Sequence, residues 1–157
     1  MPVAGDVLRR VMGRFATGVT VVTILDDEGN PQGFTANSLT SVSLNPPLVL
    51  VCVDHGVRSR PCFRRDRVFA VNILGEDQED LSRRFASKME DKFGDVSYRP
   101  GELGPPRLDG CIGYLECRIL YEYPGGDHAI FVGQVEAARC AGDKNPLLFY
   151  GGKYARL

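Results

Sequence analysis

Apolar and polar positions change their period several times along the chain, and each change marks an element. Leu8, Val11, Met12 and Phe15 recur at helical spacing behind Asp6, which predicts a short N-terminal helix capped by that carboxylate. Gly18 to Leu25, GVTVVTIL, is β-branched almost throughout and predicts a strand buried on both faces. Asp26 to Asn30 reads as a turn, with Gly29 and Asn30 able to supply a positive φ. Leu48 to Val53 (LVLVCV) and Val68 to Leu74 (VFAVNIL) predict two more buried strands. Between them, Ser59 ahead of Arg60-Pro61 predicts a helix start. Glu76 to Met89 puts Leu81, Phe85, Ala86 and Met89 on one helical face. Its acidic residues come first and its basic ones later, as the helix dipole favours.

The second half follows the same logic. Gly94 to Asp109 is rich in Gly and Pro and reads as a loop. Cys111 to Tyr123 alternates small or apolar odd positions with Glu116, Arg118 and Glu122, which predicts a long strand with one polar face. Tyr123 to Asp127 is a turn, His128 to Ala138 the returning strand, and Leu147 to Tyr150 a last short one. Strands outnumber helices and the two do not alternate regularly. The expected fold is therefore mainly β with peripheral α: a small antiparallel barrel instead of a parallel Rossmann sheet. No G-x-G-x-x-G occurs. A P-loop ending at Gly152-Lys153 fails, because Leu147 stands where its first glycine belongs and Tyr154 follows the lysine.

Composition narrows the picture. The chain has 157 residues, enough for one domain, 1–157, to bury a core without disulfides or metal. A net charge of -1 argues against a nucleic-acid partner. No apolar run is long enough to span a membrane, and MPVAGDVLRR lacks a signal peptide's apolar core, so the expected location is the cytoplasm. Five cysteines without a CxxC pair, beside two histidines, predict neither a disulfide framework nor a metal site.

Candidate chemistry concentrates in Gly33 to Pro47, GFTANSLTSVSLNPP, an uncharged stretch crowded with Thr35, Asn37, Ser38, Thr40, Ser41 and Ser43. Such side chains either satisfy their own backbone or converge on a ring or a phosphate; composition alone weighs the two about equally. Arg58, Ser59 and Arg60 at a helix start would make an anion site, or merely a solvated turn. His128 opens a strand behind Gly125-Gly126-Asp127. Asp127 could fix its tautomer, although neighbours within a strand point to opposite faces.

In order, these pieces resemble one family: the flavin reductases of two-component flavin-dependent monooxygenases, with an antiparallel split β-barrel of the FMN-binding type. The resemblance runs from Arg14-Phe15-Ala16-Thr17-Gly18-Val19-Thr20-Val21-Val22-Thr23 through Gly33 to Ser38 and Ser41 to Pro47. It continues with Gly126-Asp127-His128 and closes with Pro146 to Tyr150 and Gly152-Lys153-Tyr154. It implies a cytoplasmic homodimer that passes hydride from NADH or NADPH to FMN or FAD and supplies reduced flavin to a monooxygenase by diffusion. It implies that Thr35, Ala36, Asn37, Ser38, Thr40 and Ser41 line the flavin, with Cys52, Val53, Asp54, Arg58, Ser59 and Arg60 as a second flavin segment. Phe85, Ala86 and Lys92 would border the flavin. His128, as catalytic residue, would meet the nicotinamide together with Gly151, Gly152, Lys153 and Tyr154. Two alternatives share the barrel: a pyridoxine-phosphate oxidase-like flavoprotein and a non-catalytic flavin-binding protein.

Overall fold

The computed structural model describes residues 1–157. Helix α1 (Gly5–Met12) leads into β1 (Thr17–Gly18), β2 (Thr20–Leu25), β3 (Pro31–Ala36), β4 (Leu39–Leu44) and β5 (Pro47–Asp54). One 3₁₀ turn (Arg60–Cys62), β6 (Val68–Ile73) and α2 (Glu79–Ala86) follow. The chain then forms β7 (Tyr98–Pro100), β8 (Pro106–Leu108), β9 (Gly113–Gly125), β10 (His128–Cys140), β11 (Leu148–Tyr150) and β12 (Lys153–Ala155).

The main sheet is antiparallel, with seven strands in the order β3-β2-β6-β9-β10-β5-β4. Its two edge strands, β3 and β4, are consecutive in the chain and separated only by Asn37 and Ser38. The edges lie six strand steps apart in the sheet order, yet two residues bridge them. The sheet therefore curls on itself until its edges meet, which makes a barrel with a seam at Asn37–Ser38.

The core has two parts, because β2 is buried on both faces as its sequence predicts. Val22 and Ile24 point inward, into a cluster with Phe34, Val51, Val53, Phe63, Phe69, Ile119 and Phe131. Val19 and Val21 point outward and pack with Leu74, Phe85, Phe93, Leu108 and Leu147 beneath α2. Burying a side chain of this size stabilises the fold by roughly 1.5–3 kcal/mol before conformational entropy is counted. Fully buried Asn72 ties the outer layer together: its amide donates to the Val21 carbonyl at 3.1 Å, and its oxygen accepts from the Leu108 N–H at 2.8 Å.

Several expectations are corrected. Asp6 does not cap α1; Ala4 holds that position and Asp6 falls in the first turn. α1 buries none of its residues, so the apolar face read from Leu8, Val11, Met12 and Phe15 is exposed. α2 is shorter than 76–89, and the loop over 94–109 contains the β7–β8 hairpin. Glu116, expected on a polar face of β9, is fully buried because residues 101–103 fold over it. The helix expected at Ser59 is a three-residue 3₁₀ turn, and the Ser59 hydroxyl caps nothing.

Candidate functional site

The uncharged stretch that the sequence singles out is the seam itself. Instead of forming a loop, it continues two strands, β3 and β4, and crosses from one sheet edge to the other at Asn37–Ser38. Ser38 is fixed against β5: its Oγ donates to the Cys52 carbonyl at 3.0 Å, and the Cys52 N–H donates to the Ser38 carbonyl at 3.3 Å. The backbone just ahead is pinned by Thr20, whose Oγ1 donates to the Ala36 carbonyl at 2.7 Å. Asn37 remains exposed.

A cleft of about 1470 Å³ opens along this seam. Asn37, Ser38, Thr40, Leu50 and Cys52 form one wall. Residues 13–18, with Phe149 to Gly152, form the other. The two pieces of that second wall are tied together. The Gly151 N–H donates to the Gly13 carbonyl at 2.8 Å, and an Arg14 guanidinium N–H donates to the Tyr150 hydroxyl at 3.2 Å. Gly151 and Gly152 have φ of +61° and +76°, a left-handed pair suited to the tight β11–β12 turn. A Cβ built on Gly18, Gly151 or Gly152 would meet no atom within 4 Å, so bare backbone faces open space there. The Thr17 hydroxyl is buried beside this surface with no partner. No carboxylate lines the cleft, and its charged residues are Arg9, Arg10 and Arg14.

Of the residues expected at a site, the cleft gathers Asn37, Ser38, Thr40, Cys52, Gly151 and Gly152. A second group surrounds the C-terminal end of α2. Thr35 Oγ1 donates to the Ser82 carbonyl at 2.6 Å, and the Ser82 and Tyr154 hydroxyls lie 2.7 Å apart. Lys92 Nζ donates to the carbonyls of Phe85 at 2.9 Å and Gly33 at 3.3 Å. Burial holds the Lys92 ammonium below its ordinary pKa, and the positive charge of Arg58 lowers it further. Ala86 is exposed at the same end of the helix.

The remaining expected residues stand elsewhere. Phe85, Ala36 and Val53 are buried, and Phe85 and Val53 present no side-chain surface at all. Ser41 and Lys153 are exposed outside the cleft. Asp54 accepts the Gly56 N–H at the end of β5. Arg60 is ion-paired with Glu122 and lies 4.9 Å over the Phe131 ring. Ser59 is buried, and the helix whose N-terminus would have added backbone N–H groups to Arg58 and Arg60 is only the short 3₁₀ turn. His128 pairs with Asp54 across β5–β10, one same-face step beyond the Cys52–Ile130 pair. It therefore shares the outer sheet face of Cys52 without lining the cleft. Sequence reading missed Arg9, Arg10, Gly13 and Tyr150 as cleft residues. No local pattern marks them: Arg9 and Arg10 read as the polar side of an exposed helix, and Gly13 and Tyr150 reach the cleft only through the Gly151–Gly13 and Arg14–Tyr150 contacts.

The flavin reductase like domain matches residues 12–157. This chain belongs to that family. It is 43% identical over 148 residues to the reductase subunit HsaB of a flavin-dependent monooxygenase from Mycobacterium tuberculosis, covering 93% of this chain and 79% of that protein. It is 44% identical over 146 residues to the reductase component of a 4-nitrophenol 4-monooxygenase/4-nitrocatechol 2-monooxygenase from Rhodococcus opacus, covering 93% and 77%. The solved Streptomyces globisporus NADH:FAD oxidoreductase SgcE6, in complex with NAD and FAD fragments, superposes with a TM-score of 0.91 at 44% identity, covering 98% and 93%.

For this flavin reductase-like chain, the match includes the seam, both cleft walls from Met12 onward and the C-terminal Gly-Gly turn. No helix is long and apolar enough to cross a membrane.

Proposed function

We propose that this oxidoreductase passes a hydride from NADH or NADPH to FAD or FMN and releases the reduced flavin to a separate monooxygenase. The observation that carries the reading is an acid-free cleft between an uncharged hydroxyl-and-amide wall and a bare glycine wall. A flavin ring needs donors for its carbonyl oxygens and ring nitrogens and a flat face left open for stacking. Asn37 supplies an uncommitted amide donor. The Ser38 and Thr40 hydroxyls, whose protons go to the Cys52 and Ser41 carbonyls, offer oxygen lone pairs to ring N–H groups, and Gly18, Gly151 and Gly152 leave room for stacking. The residues fit the group.

When bound, the nicotinamide would supply a hydride and the flavin would accept it. The chain itself binds and orients. Ser38, held by Cys52, keeps the donor wall in register, and Asn37 presents an exposed amide that can donate to the flavin's carbonyl edge. Thr35, Ala36, Ser41, Cys52, Val53 and Asp54 continue that wall, largely through backbone and through the strands that position it. Arg58 and Lys92, close enough for their charges to interact, make the positive ground for a flavin phosphate, with Ser59, Arg60, Phe85 and Ala86 shaping it. His128 is the catalytic residue toward the nicotinamide, and Gly151, Gly152, Lys153 and Tyr154 complete the donor side. Correct placement of two reacting atoms supplies much of the rate advantage of such a reaction.

Residues 1–157 act as one reductase domain in the cytoplasm, and two copies pair. Leu8, Val11, Met12 and Phe15 around α1, with Val42 and Leu44 on β4, leave an apolar surface that a second chain would cover. The relative named for NADH and FAD makes that pair the first to assay. Purified protein is mixed with each nicotinamide–flavin pair without oxygen, and the nicotinamide absorbance band is followed together with protein-free reduced flavin in a filtrate. Loss of the band with reduced flavin in the filtrate is expected; no oxidation with any pair would overturn the reading.

A further inference from the structure

We propose that Arg9, Arg10 and Arg14 form a binding site for the diphosphate of the nicotinamide dinucleotide, so that α1 and the segment after it hold the hydride donor. This rests on the reductase reading above and deepens it. The chain as a whole carries a net charge of -1, yet the charged residues lining its cleft are these three arginines. None of the three is ion-paired, although many other arginines of the chain are: Arg60, Arg64, Arg67, Arg83, Arg99, Arg118 and Arg139 each meet a carboxylate. Asp6, one helical turn before Arg10, makes no ion pair with it. Positive charge without a protein counter-charge, set at the rim of an acid-free cleft, raises the local concentration of an anion.

Geometry selects which anion. Arg14 is bonded to the Tyr150 hydroxyl, which fixes one guanidinium beside the Gly151–Gly152 turn. That turn is itself tied to Gly13, the residue that ends α1. The helix carrying Arg9 and Arg10 and the bare glycine wall thus form one unit, across the cleft from Asn37, Ser38 and Thr40. A dinucleotide whose ring lies on the glycine wall would bring its diphosphate toward this arginine rim. Guanidinium forks match phosphate oxygens in pairs, so three of them suit a diphosphate better than a single phosphate.

The test uses ADP-ribose, which keeps the diphosphate and lacks the nicotinamide, titrated by calorimetry into the full chain with and without bound flavin. Arg9→Gln/Arg10→Gln and Arg14→Gln are compared with wild type, and Arg14→Lys serves as the charge-retaining variant. Each exposed contact is screened, so the double variant is expected to weaken ADP-ribose roughly fivefold at low salt. The loss shrinks as salt is added, adenosine binding does not change, and Arg14→Lys recovers part of the Arg14→Gln loss. Equal ADP-ribose affinity in all four proteins would overturn the proposal. Weaker FAD with unchanged ADP-ribose would also overturn it, by giving the arginines to the flavin's diphosphate. Turnover by wild type separates this from the reading beneath it. A protein that oxidises NADH with flavin, but whose arginine variants bind ADP-ribose normally, loses only this proposal. One that cannot oxidise NADH, yet needs the arginines for ADP-ribose, keeps it and loses the reductase reading.

Discussion

His128 Nδ1 lies 2.6 Å from Asp127 Oδ1, although the two residues are adjacent in the chain. Within a strand this contact would not form, because consecutive side chains point to opposite faces. Asp127 belongs to the turn before β10 and is free of that alternation. The hydrogen bond from His128 holds the Asp127 carboxyl below the usual carboxylate range, so the carboxylate accepts and Nδ1–H donates. The other ring nitrogen, Nε2, is then left to a ligand. His128→Ala is expected to raise KM for NADH roughly tenfold, the loss of about one charge-assisted hydrogen bond, with a smaller change in KM for flavin. Asp127→Asn should fall between that variant and wild type. Steady-state kinetics with each substrate varied in turn checks this; equal rises in both constants would remove His128 from the donor side.

Gly33 has no room for a side chain. A Cβ there would stand 3.0 Å from Phe85 Cε1 and 3.2 Å from the Val22 carbonyl. The Phe85 ring cannot easily retreat, since it is fully buried and packed edge-on against Phe93 at 5.0 Å between centroids. Gly33→Ala is expected to destabilise by roughly 1–3 kcal/mol through overpacking. Each of those kcal/mol lowers Tm by about 2–4 °C in a chain of this size. Thermal unfolding measures it, and an unchanged Tm would mean that Phe85 is free to shift.

The same pair shows how far the sequence could be read. Phe85 was legible as a helix position facing inward, because Leu81 and Met89 stand four residues to either side of it. Its burial beneath Gly33 depends on β3 crossing α2, a long-range relation that no local period carries. β2 was legible for the opposite reason: a strand buried on both faces is apolar at every position, and Val19 to Ile24 nearly is. The seam was legible in composition but not in shape. Asn37 and Ser38 read as turn residues, and only the sheet order reveals that they join its two edges. Arg9 and Arg10 stayed hidden because an exposed arginine on a helix looks the same beside a cleft as beside open water.

Glu116 is the clearest case of a tertiary contact overriding a pattern. It is fully buried, and its two oxygens accept the backbone N–H groups of Glu102 at 3.0 Å and Leu103 at 2.8 Å. The carboxylate is thus the fastening point of the loop between β7 and β8. Glu116→Ala would orphan both donors and leave a cavity, and each orphaned buried group costs about 1–3 kcal/mol. Glu116→Gln keeps one acceptor and brings an amide N–H₂ toward a donor, so it should lose less than the alanine variant. Urea unfolding ranks the three proteins, and hydrogen exchange at Glu102 and Leu103 locates the effect. Equal stability of Glu116→Ala and wild type would show that the loop holds without the carboxylate.

Acid should destabilise the protein through carboxylates that are better solvated by partners when folded than when unfolded. The Ser97 hydroxyl, together with Arg99, holds the Asp109 carboxyl below its ordinary range. Arg67 and Arg64 do the same for Asp27, the Asn30 and Glu28 N–H groups for Asp26, and Arg118 for Glu136. For each, the folded pKa lies under the unfolded one. The stability it contributes is therefore complete above the unfolded value, about 4, and is lost as pH falls through the folded value. The groups are exposed and screened, so the individual effects are small and show best as a slope. Tm is expected to be flat on the carboxylate account from pH 7 to about 5 and to fall progressively below 4. Asp109→Asn should lower Tm at pH 7 and flatten the acid limb, bringing the two proteins together near pH 2. A Tm difference that persists unchanged at pH 2 would show that Asp109 acts through packing and not through its charge.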